Sequence, residues 1–303
     1  MKWVMGIFLA SVVATVGLSF GIGRRHGGTT VNVVGSTSIQ PFAEMLAQEF
    51  NRANPGINVE VQGGGSMAGL QGAEKGYANI GMCSRDLESG EDFNKTIIAY
   101  DGIAVVVHNG NPVKSLTIAQ VRDIFAGKIK NWNQVGGRDL AITIITREEG
   151  SGTREAFTNL VMEAETGARM SRLKAPYKDP ATMPAEVKER LEALHRDRPR
   201  ITMYSITEPS NGSVKALVSG DPAAIGHMSL GQVNEELKGV AVDGVEPTRD
   251  NVLNKSYRLV RPFLFVAKGE PDAPSQKFID YVLSDEGQRI LEREGLVRVS
   301  VRK

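Results

Sequence analysis

Residues 30–69 read TVNVVGSTSIQPFAEMLAQEFNRANPGINVEVQGGGSMAG, in which predicted strands run into turns rich in Gly, Ser and Thr. The apolar run that ends at Val34 predicts a strand, and large apolar residues at helical spacing over 42–50 predict a helix after it. Alternating apolar residues over 57–61 predict a second strand, followed by GGGSMAG at 63–69 and another helix. This succession of strand, turn and helix predicts an α/β fold.

The same order continues along the chain. Further strands are predicted at 79–82, at 141–146, at 224–230, and at 97–107 with an interruption at Tyr100-Asp101-Gly102. Thr117 and Gln120 form a capping-box pattern for a helix that ends near 126–127. Residues 164–200 break this order, because three prolines lead into a charged helix with few apolar positions. That segment is predicted to be a surface insertion.

The first 28 residues differ in character from the rest. Lys2 precedes an uncharged run over 3–23, which Arg24 and Arg25 follow. This pattern is typical of an export signal, although the run is also long enough for an uncleaved membrane anchor. Residues 1–28 are therefore predicted to be a signal peptide or anchor. The protein would be exported, either to the periplasm or to the outer face of the cytoplasmic membrane.

Composition argues against several classes of function. The 36 Lys and Arg residues against 35 Asp and Glu give a net charge of +1, so nucleic acid is not an expected partner. Cys83 is the only cysteine, and the four histidines show no spacing typical of metal ligands. We therefore expect no metal and no cofactor, and any bound anion must be captured by a local site.

Four turns offer the same chemical groups, namely hydroxyl donors beside glycine or arginine. A small oxyanion is held well by hydroxyls together with the backbone N–H groups at a helix start. One such turn alone is usually a helix cap, but four that converge would satisfy every oxygen of a tetrahedral anion. GGGSMAG lacks the spacing of a nucleotide-binding loop. The turns contain Ser36-Thr37-Ser38, Ser66, Ser84-Arg85, and Ser151-Gly152-Thr153 shortly after Arg147.

The chain also resembles a known family over about residues 30–295. The resemblance lies in VVGSTSIQPFAEML, VQGGGSMAGLQGA, IGMCSRDL, YDGIAVVV, DIFAGKIKNW, REEGSGTREAF and AIGHMSLG, which follow the order of blocks in the phosphate-binding subunit of Pst-type ABC importers. It implies the two-lobed periplasmic-binding-protein fold with a hinge of two crossovers, at 108–110 and 258–262. Lobe 1 would comprise 29–108 and 262–303, and lobe 2 would comprise 109–261.

The resemblance also implies which residues bind phosphate. Many family members place an Asp directly after the third-turn serine, where this chain has Arg85. The resemblance then assigns Asp101 as the acceptor of the phosphate proton, with Asp86 as the alternative. Such a carboxylate favours phosphate over sulfate, because only phosphate carries a proton at neutral pH. The implied ligands are Thr37, Ser38, Ser66, Ser84, Arg85, Asp101, Arg147, Ser151, Gly152 and Thr153.

The expected function is extracytoplasmic binding of inorganic phosphate, in an interlobe cleft, for delivery to the permease subunits of an ABC importer. The protein is expected to be a monomer and not an enzyme. Two alternatives remain open, a phosphate sensor without transport and a binding protein for another tetrahedral oxyanion. A phosphatase is less favoured, because the sequence shows no metal cluster and no activated nucleophile.

Overall fold

A computed structural model of the chain describes residues 28–177 and 179–299. The predicted signal peptide or anchor therefore lies outside the described residues, apart from Gly28 at its end. Within the two described ranges, no helix combines the length and the apolar character that a membrane span requires.

The described chain alternates strands and helices, as the sequence predicts. The strands are β1 Thr29–Gly35, β2 Ile57–Gly63, β3 Ile80–Cys83, β4 Asn94–His108, β5 Ser115–Leu116, β6 Thr143–Arg147, β7 Ile206–Glu208, β8 Ala224–Ser229, β9 Leu237–Gly239, β10 Ala241–Val242, β11 Val260–Ala267 and β12 Val297–Arg298. The α-helices are α1 Gln40–Ala53, α2 Ser66–Glu74, α3 Ile118–Phe125, α4 Gly152–Phe157, α5 Ala164–Lys174, α6 Ala185–Arg196, α7 Asn211–Gly220, α8 Arg249–Leu253, α9 Ala273–Leu283 and α10 Asp285–Arg293.

One mixed sheet of ten strands organises the fold. Its order is β2-β1-β3-β11-β4-β8-β6-β7, and β9 and β12 also pair with β4. The pairs β1–β2, β1–β3, β6–β7 and β6–β8 are parallel, whereas β11 and β4 run antiparallel to their partners. Because the turns after parallel strands lie at one edge of a sheet, this topology brings the predicted hydroxyl turns to one region.

Strand β4 belongs to both halves of the sheet. Its first part, up to Gly102, pairs with β11, and its second part, from Ile103, pairs with β8. The strand is continuous, so the interruption predicted at 100–102 is wrong. Asp101 is accommodated inside the strand because Arg261 lies opposite it in register and pairs with its carboxylate at 2.9 Å.

The buried apolar residues separate at the same strand. One set of core clusters draws its members from 31–99 and 263–296, and the other set from 103–259. We infer that the first lobe comprises 28–102 and 261–299, and the second lobe 103–260. The apolar residues over 103–107 pack in the second core, which favours a boundary at 102 over the one expected at 108.

Residues 164–200 lie largely at the surface, in agreement with their weak apolar pattern. Helix α5 buries no side chain, and α6 buries only Leu191. The capping box is also confirmed, since the Thr117 side chain accepts from the Gln120 N–H at the start of α3 and Gln120 bonds in return to the Thr117 N–H.

Candidate anion-binding site

The first lobe contributes hydroxyls from three turns. Ser38 lies in the turn between β1 and α1, Ser66 is the first residue of α2, and Ser84 follows β3; each of these residues is at most 2% exposed. The Ser84 N–H donates to Ser66 Oγ at 3.0 Å, and the two hydroxyl oxygens lie 3.3 Å apart. The second and third turns are therefore in direct contact.

The second lobe meets these hydroxyls through the turn after β6. Thr153 Oγ1 lies 2.8 Å from Ser38 Oγ, and the Met67 N–H donates to the Gly150 carbonyl at 3.0 Å. A Cβ added at Gly152 would lie 2.2 Å from Ser66 Oγ and 2.7 Å from the hydroxyl of Ser84. Only glycine allows this approach, so the predicted GSGT turn closes the cluster.

The two other predicted hydroxyls have local partners. Ser151 is buried and caps α4, because its hydroxyl accepts from the Arg154 N–H at 3.4 Å. Thr37 is half-buried, and its hydroxyl accepts from the Asn211 side chain at 3.3 Å. Each hydroxyl hydrogen is still available to a ligand after these bonds.

Arg147, the last residue of β6 in the second lobe, is 1% exposed. Its Nε and Nη2 atoms donate to the Glu148 carboxylate and to the carbonyls of Glu208 and Pro209. Its Nη1 atom is buried and has no hydrogen-bond partner among the described residues. Burial lowers the pKa of Arg147, against the opposing charge of Glu148. A buried cationic donor without a partner indicates a site for an anionic acceptor.

Arg85 is not brought into the cluster. Its guanidinium donates to both oxygens of Glu91, to Glu155 and to the carbonyl of Asp86. These bonds use the three nitrogens of the group, so the predicted ligand role of Arg85 is not supported by its placement.

The two candidate acceptor carboxylates have different surroundings. Asp101 is 2% exposed and accepts from Arg261 and from the Gly231 N–H at 3.3 Å, whereas Asp86 is exposed. Burial raises the pKa of Asp101, although the charge of Arg261 acts in the opposite direction. Of the two carboxylates, only Asp101 lies among the buried polar groups.

Three residues of this cluster were missed by sequence reasoning. Asn211, at the start of α7, donates to Ser38 Oγ at 2.9 Å, and Gln232 donates to the carbonyls of Thr37 and Ser38. Arg261 donates to hydroxyls of both lobes. The charged residue within the apolar strand sequence LVRPFLFV could have indicated Arg261 as a site residue, and the PSNGS turn could have indicated Asn211.

Three arginines lie close enough to His227 to affect its pKa. His227 is buried, bonds to Thr146 at 3.0 Å and stacks on Phe157. Burial lowers its pKa well below the ordinary value, and the charges of Arg147, Arg154 and Arg261 act in the same direction. His227 is therefore neutral, and the positive charge near the site is left to the arginines. Across the described ranges, no group of three or more His, Cys, Asp or Glu residues is placed to hold a metal ion.

An α/β chain whose two halves are connected through β4 and at the start of β11, and meet over buried donors, has the construction of a solute-binding protein for a small anion. The chain belongs to the PBP superfamily, whose domain model matches residues 23–286, and within it to the Pst-type phosphate-binding proteins.

Two solved structures and one curated relative illustrate the family. A Clostridium perfringens substrate-binding protein assigned to phosphate ABC transport, crystallised with phosphate, shares 39% identity over 90% of this chain and all of its own, with a TM-score of 0.75. An ABC-type phosphate transport receptor from Vibrio cholerae shares 31% identity over 89% of this chain and all of its own, with a TM-score of 0.67. The Bacillus subtilis phosphate-binding protein PstS is 28% identical over 285 residues, 92% of this chain and 83% of the relative.

Proposed function

We propose that this protein binds inorganic phosphate between its lobes and delivers it to the permease subunits of an ABC importer. The observation that carries the proposal is the buried Nη1 of Arg147, which has no hydrogen-bond partner within the described part of the chain. Charge-assisted bonds from this atom to phosphate oxygens would give partners to the guanidinium nitrogen that the described residues leave unpaired. The relatives that bind phosphate, or are named for doing so, support the same ligand.

The proposed ligand groups come from both lobes. Arginine contributes charge, the hydroxyls contribute donors, and Gly152 allows the close approach of the second lobe. The set is Thr37, Ser38, Ser66, Ser84, Arg147, Ser151, Gly152 and Thr153, with Asp101 as the proton acceptor. Arg85 is left out, because carboxylates and a carbonyl occupy its guanidinium.

Selectivity for phosphate is proposed to depend on Asp101. Phosphate retains a proton near neutral pH and can donate it to a carboxylate, whereas sulfate would meet that carboxylate as a like charge. Oδ1 of Asp101 accepts from the Gly231 N–H at 3.3 Å, whereas Oδ2 accepts from two nitrogens of Arg261. Oδ1 is the proposed acceptor.

Hinge closure is proposed to trap the anion. The two lobes are joined at 102–103 and at 260–261, and their contacts meet at the hydroxyl cluster. An anion that bonds to both lobes favours the closed arrangement over an open one, and the closed shape is what the permease would recognise. We further propose that the protein is exported through residues 1–28, acts as a monomer and catalyses no reaction.

Titration calorimetry on the purified full chain tests the proposal, with phosphate, sulfate and molybdate as separate ligands at one pH and one salt concentration. We expect phosphate to bind and sulfate to bind more weakly by several orders of magnitude. Absence of phosphate binding would overturn the proposed function. Transport is tested separately, by phosphate uptake in cells that lack the protein and in cells to which it is restored; equal uptake would leave only a sensing role.

A further inference from the structure

Arg261 occupies the centre of the buried cluster, although it was not among the residues expected there. It is the second residue of β11 and lies opposite Asp101 of β4. Its side chain is 1% exposed. A fully buried guanidinium at the junction of two lobes requires partners for all of its N–H groups.

Every nitrogen of Arg261 has such partners. Nε and Nη2 donate to Asp101 Oδ2 at 3.1 and 2.9 Å. Nη2 also donates to Ser38 Oγ at 3.0 Å, and Nη1 donates to Thr153 Oγ1 at 2.8 Å and to the hydroxyl and carbonyl oxygens of Ser84, each at 3.2 Å. Arg261 therefore links two hydroxyls of the first lobe with one of the second.

These bonds fix the direction in which the hydroxyls donate. A serine or threonine hydroxyl has one hydrogen and two lone pairs. Ser38 Oγ accepts from Arg261 at 3.0 Å and from Asn211 at 2.9 Å, so both of its lone pairs are used and its hydrogen must point to a third group. The nearest hydroxyl is that of Thr153, at 2.8 Å.

The same reasoning extends to Thr153. Its hydroxyl accepts from Arg261 and can accept from Ser38, which directs its own hydrogen away from both. A chain of hydrogen bonds that begins at a cation is polarised along its length, and this strengthens the final donor. An oxyanion beside Thr153 would receive that donor.

Asp101 holds Arg261 in this position and offsets its charge. Both side chains of this ion pair are buried, and each is 1% exposed. Arg147, by contrast, has one guanidinium nitrogen to which the residues at 28–177 and 179–299 give no hydrogen-bond partner. The two arginines are therefore suited to different tasks, with Arg147 contacting the anion and Arg261 acting through hydroxyls.

We propose that Arg261 is a positioning residue that, through its bonds to Ser38 and Thr153, makes the Thr153 hydroxyl a hydrogen-bond donor to the bound oxyanion and so couples binding to lobe closure. This inference rests on the proposed function, because it takes phosphate as the ligand. According to this inference, Arg261 contributes to phosphate affinity without having to contact the anion.

A double-mutant cycle with phosphate calorimetry tests the inference. Arg261→Lys keeps a charge beside Asp101 but cannot reach all three hydroxyls, and Thr153→Val removes one hydroxyl at nearly constant shape. We expect Arg261→Lys to weaken phosphate binding about tenfold in the wild-type background. In the Thr153→Val background the same change should cost about threefold or less, because the hydroxyl that Arg261 orients is already absent. Equal costs in both backgrounds would overturn the inference.

Two further measurements distinguish a failure of this inference from a variant that does not fold and from a failure of the proposed function. The melting temperature of each variant without phosphate shows whether it folds; if Arg261→Lys does not fold, the cycle is repeated with Asp101→Asn/Arg261→Gln, which leaves no buried charge unpaired. Additive costs in that second cycle would also reject the inference. If the wild type itself does not bind phosphate, the proposed function fails. If the wild type binds and the costs are additive, only the role of Arg261 fails.

Discussion

The guanidinium of Arg85, in the first lobe, lies 2.5 Å from the carboxylate of Glu155, on α4 of the second lobe. Arg85 also holds Glu91, and Glu88 lies beside Glu155. Burial, together with the neighbouring Glu88 carboxyl, raises the pKa of Glu155 to about 7, although Arg85 acts in the opposite direction. Two carboxylates thus share one guanidinium at a contact between the lobes, and a third carboxyl, that of Glu88, lies beside one of them.

This contact predicts a pH dependence of phosphate binding. In an open arrangement Glu155 would have its ordinary pKa of 4.5, so the closed form binds a proton at higher pH than the open form. The stabilisation of the closed form by that proton is fully present below the open-state value and is lost as pH rises through about 7. As pH falls from about 8 to about 6, protonation of Glu155 in the closed form strengthens phosphate binding by up to about tenfold. Glu155→Gln should remove it.

The measurement is the phosphate dissociation constant of wild type and Glu155→Gln across that pH range at fixed ionic strength. The ratio of the two constants cancels the titration of phosphate itself. Glu163→Gln is the matched control, because Glu163 pairs with Arg198 inside the second lobe and is similarly half-buried. A ratio for Glu155→Gln that does not change with pH would contradict the prediction.

Arg147→Gln should weaken phosphate binding by about 2–5 kcal/mol, because it removes a buried, charge-assisted donor from the anion. Arg147→Lys should recover part of the loss, since it restores the charge without the planar guanidinium. Arg52→Gln, at an exposed pair on α1, is the control and should leave the affinity unchanged. Calorimetry measures all three variants, and wild-type affinity in Arg147→Gln would remove this residue from the site.

Gly152→Ala should strongly reduce phosphate binding, because the new methyl group would overlap the hydroxyl oxygens of Ser66 and Ser84. Moving them apart costs about 1–3 kcal/mol in a well-packed interior. We expect small-angle scattering with phosphate to show a more open particle than the wild type. Gly212→Ala is the control, since a Cβ there meets only Ser210 Oγ at 3.6 Å. A closed, phosphate-binding Gly152→Ala variant would show that the approach of the lobes does not need glycine.

Asp101→Asn should reduce the preference for phosphate over sulfate, because an amide can donate to a fully deprotonated oxyanion. Loss of the carboxylate also removes the partner that holds Arg261 in position, but that effect weakens the binding of phosphate and of sulfate equally. The ratio of the two affinities, measured at one pH and one salt concentration, therefore isolates the acceptor role. The control is Asp86→Asn, since Asp86 is exposed. If the ratio stays at its wild-type value in Asp101→Asn, Asp101 only anchors Arg261.

The local patterns were sufficient for most elements of the fold. Apolar periodicity predicted α1 and β2 close to their observed bounds, and the Thr117–Gln120 pattern predicted the start of α3. The interruption predicted in β4 failed for a non-local reason. A buried carboxylate is unfavourable in a strand unless a partner lies opposite it, and that partner, Arg261, is distant in sequence.

The same distinction applies to the site. The sequence predicted the hydroxyl turns, because each is a local arrangement of Ser, Thr and Gly after a strand. It did not reveal that Arg85 turns away, although successive residues in extended backbone point to opposite sides and Ser84 already faces the cluster. The placement of Arg261 and Asn211 depends on which strands and helices become neighbours.

By itself the sequence determined the order of strands and helices, the hydroxyl groups that the turns offer and the family resemblance, since these depend on residues near one another in the chain. Tertiary structure alone decided the point at which β4 passes from one lobe to the other and the choice of Arg261 as the partner of Asp101. It also decided which arginine keeps a free donor. The physical reason is that strand register and burial bring together groups far apart in sequence, and each buried charge is stable only where that register supplies its partner.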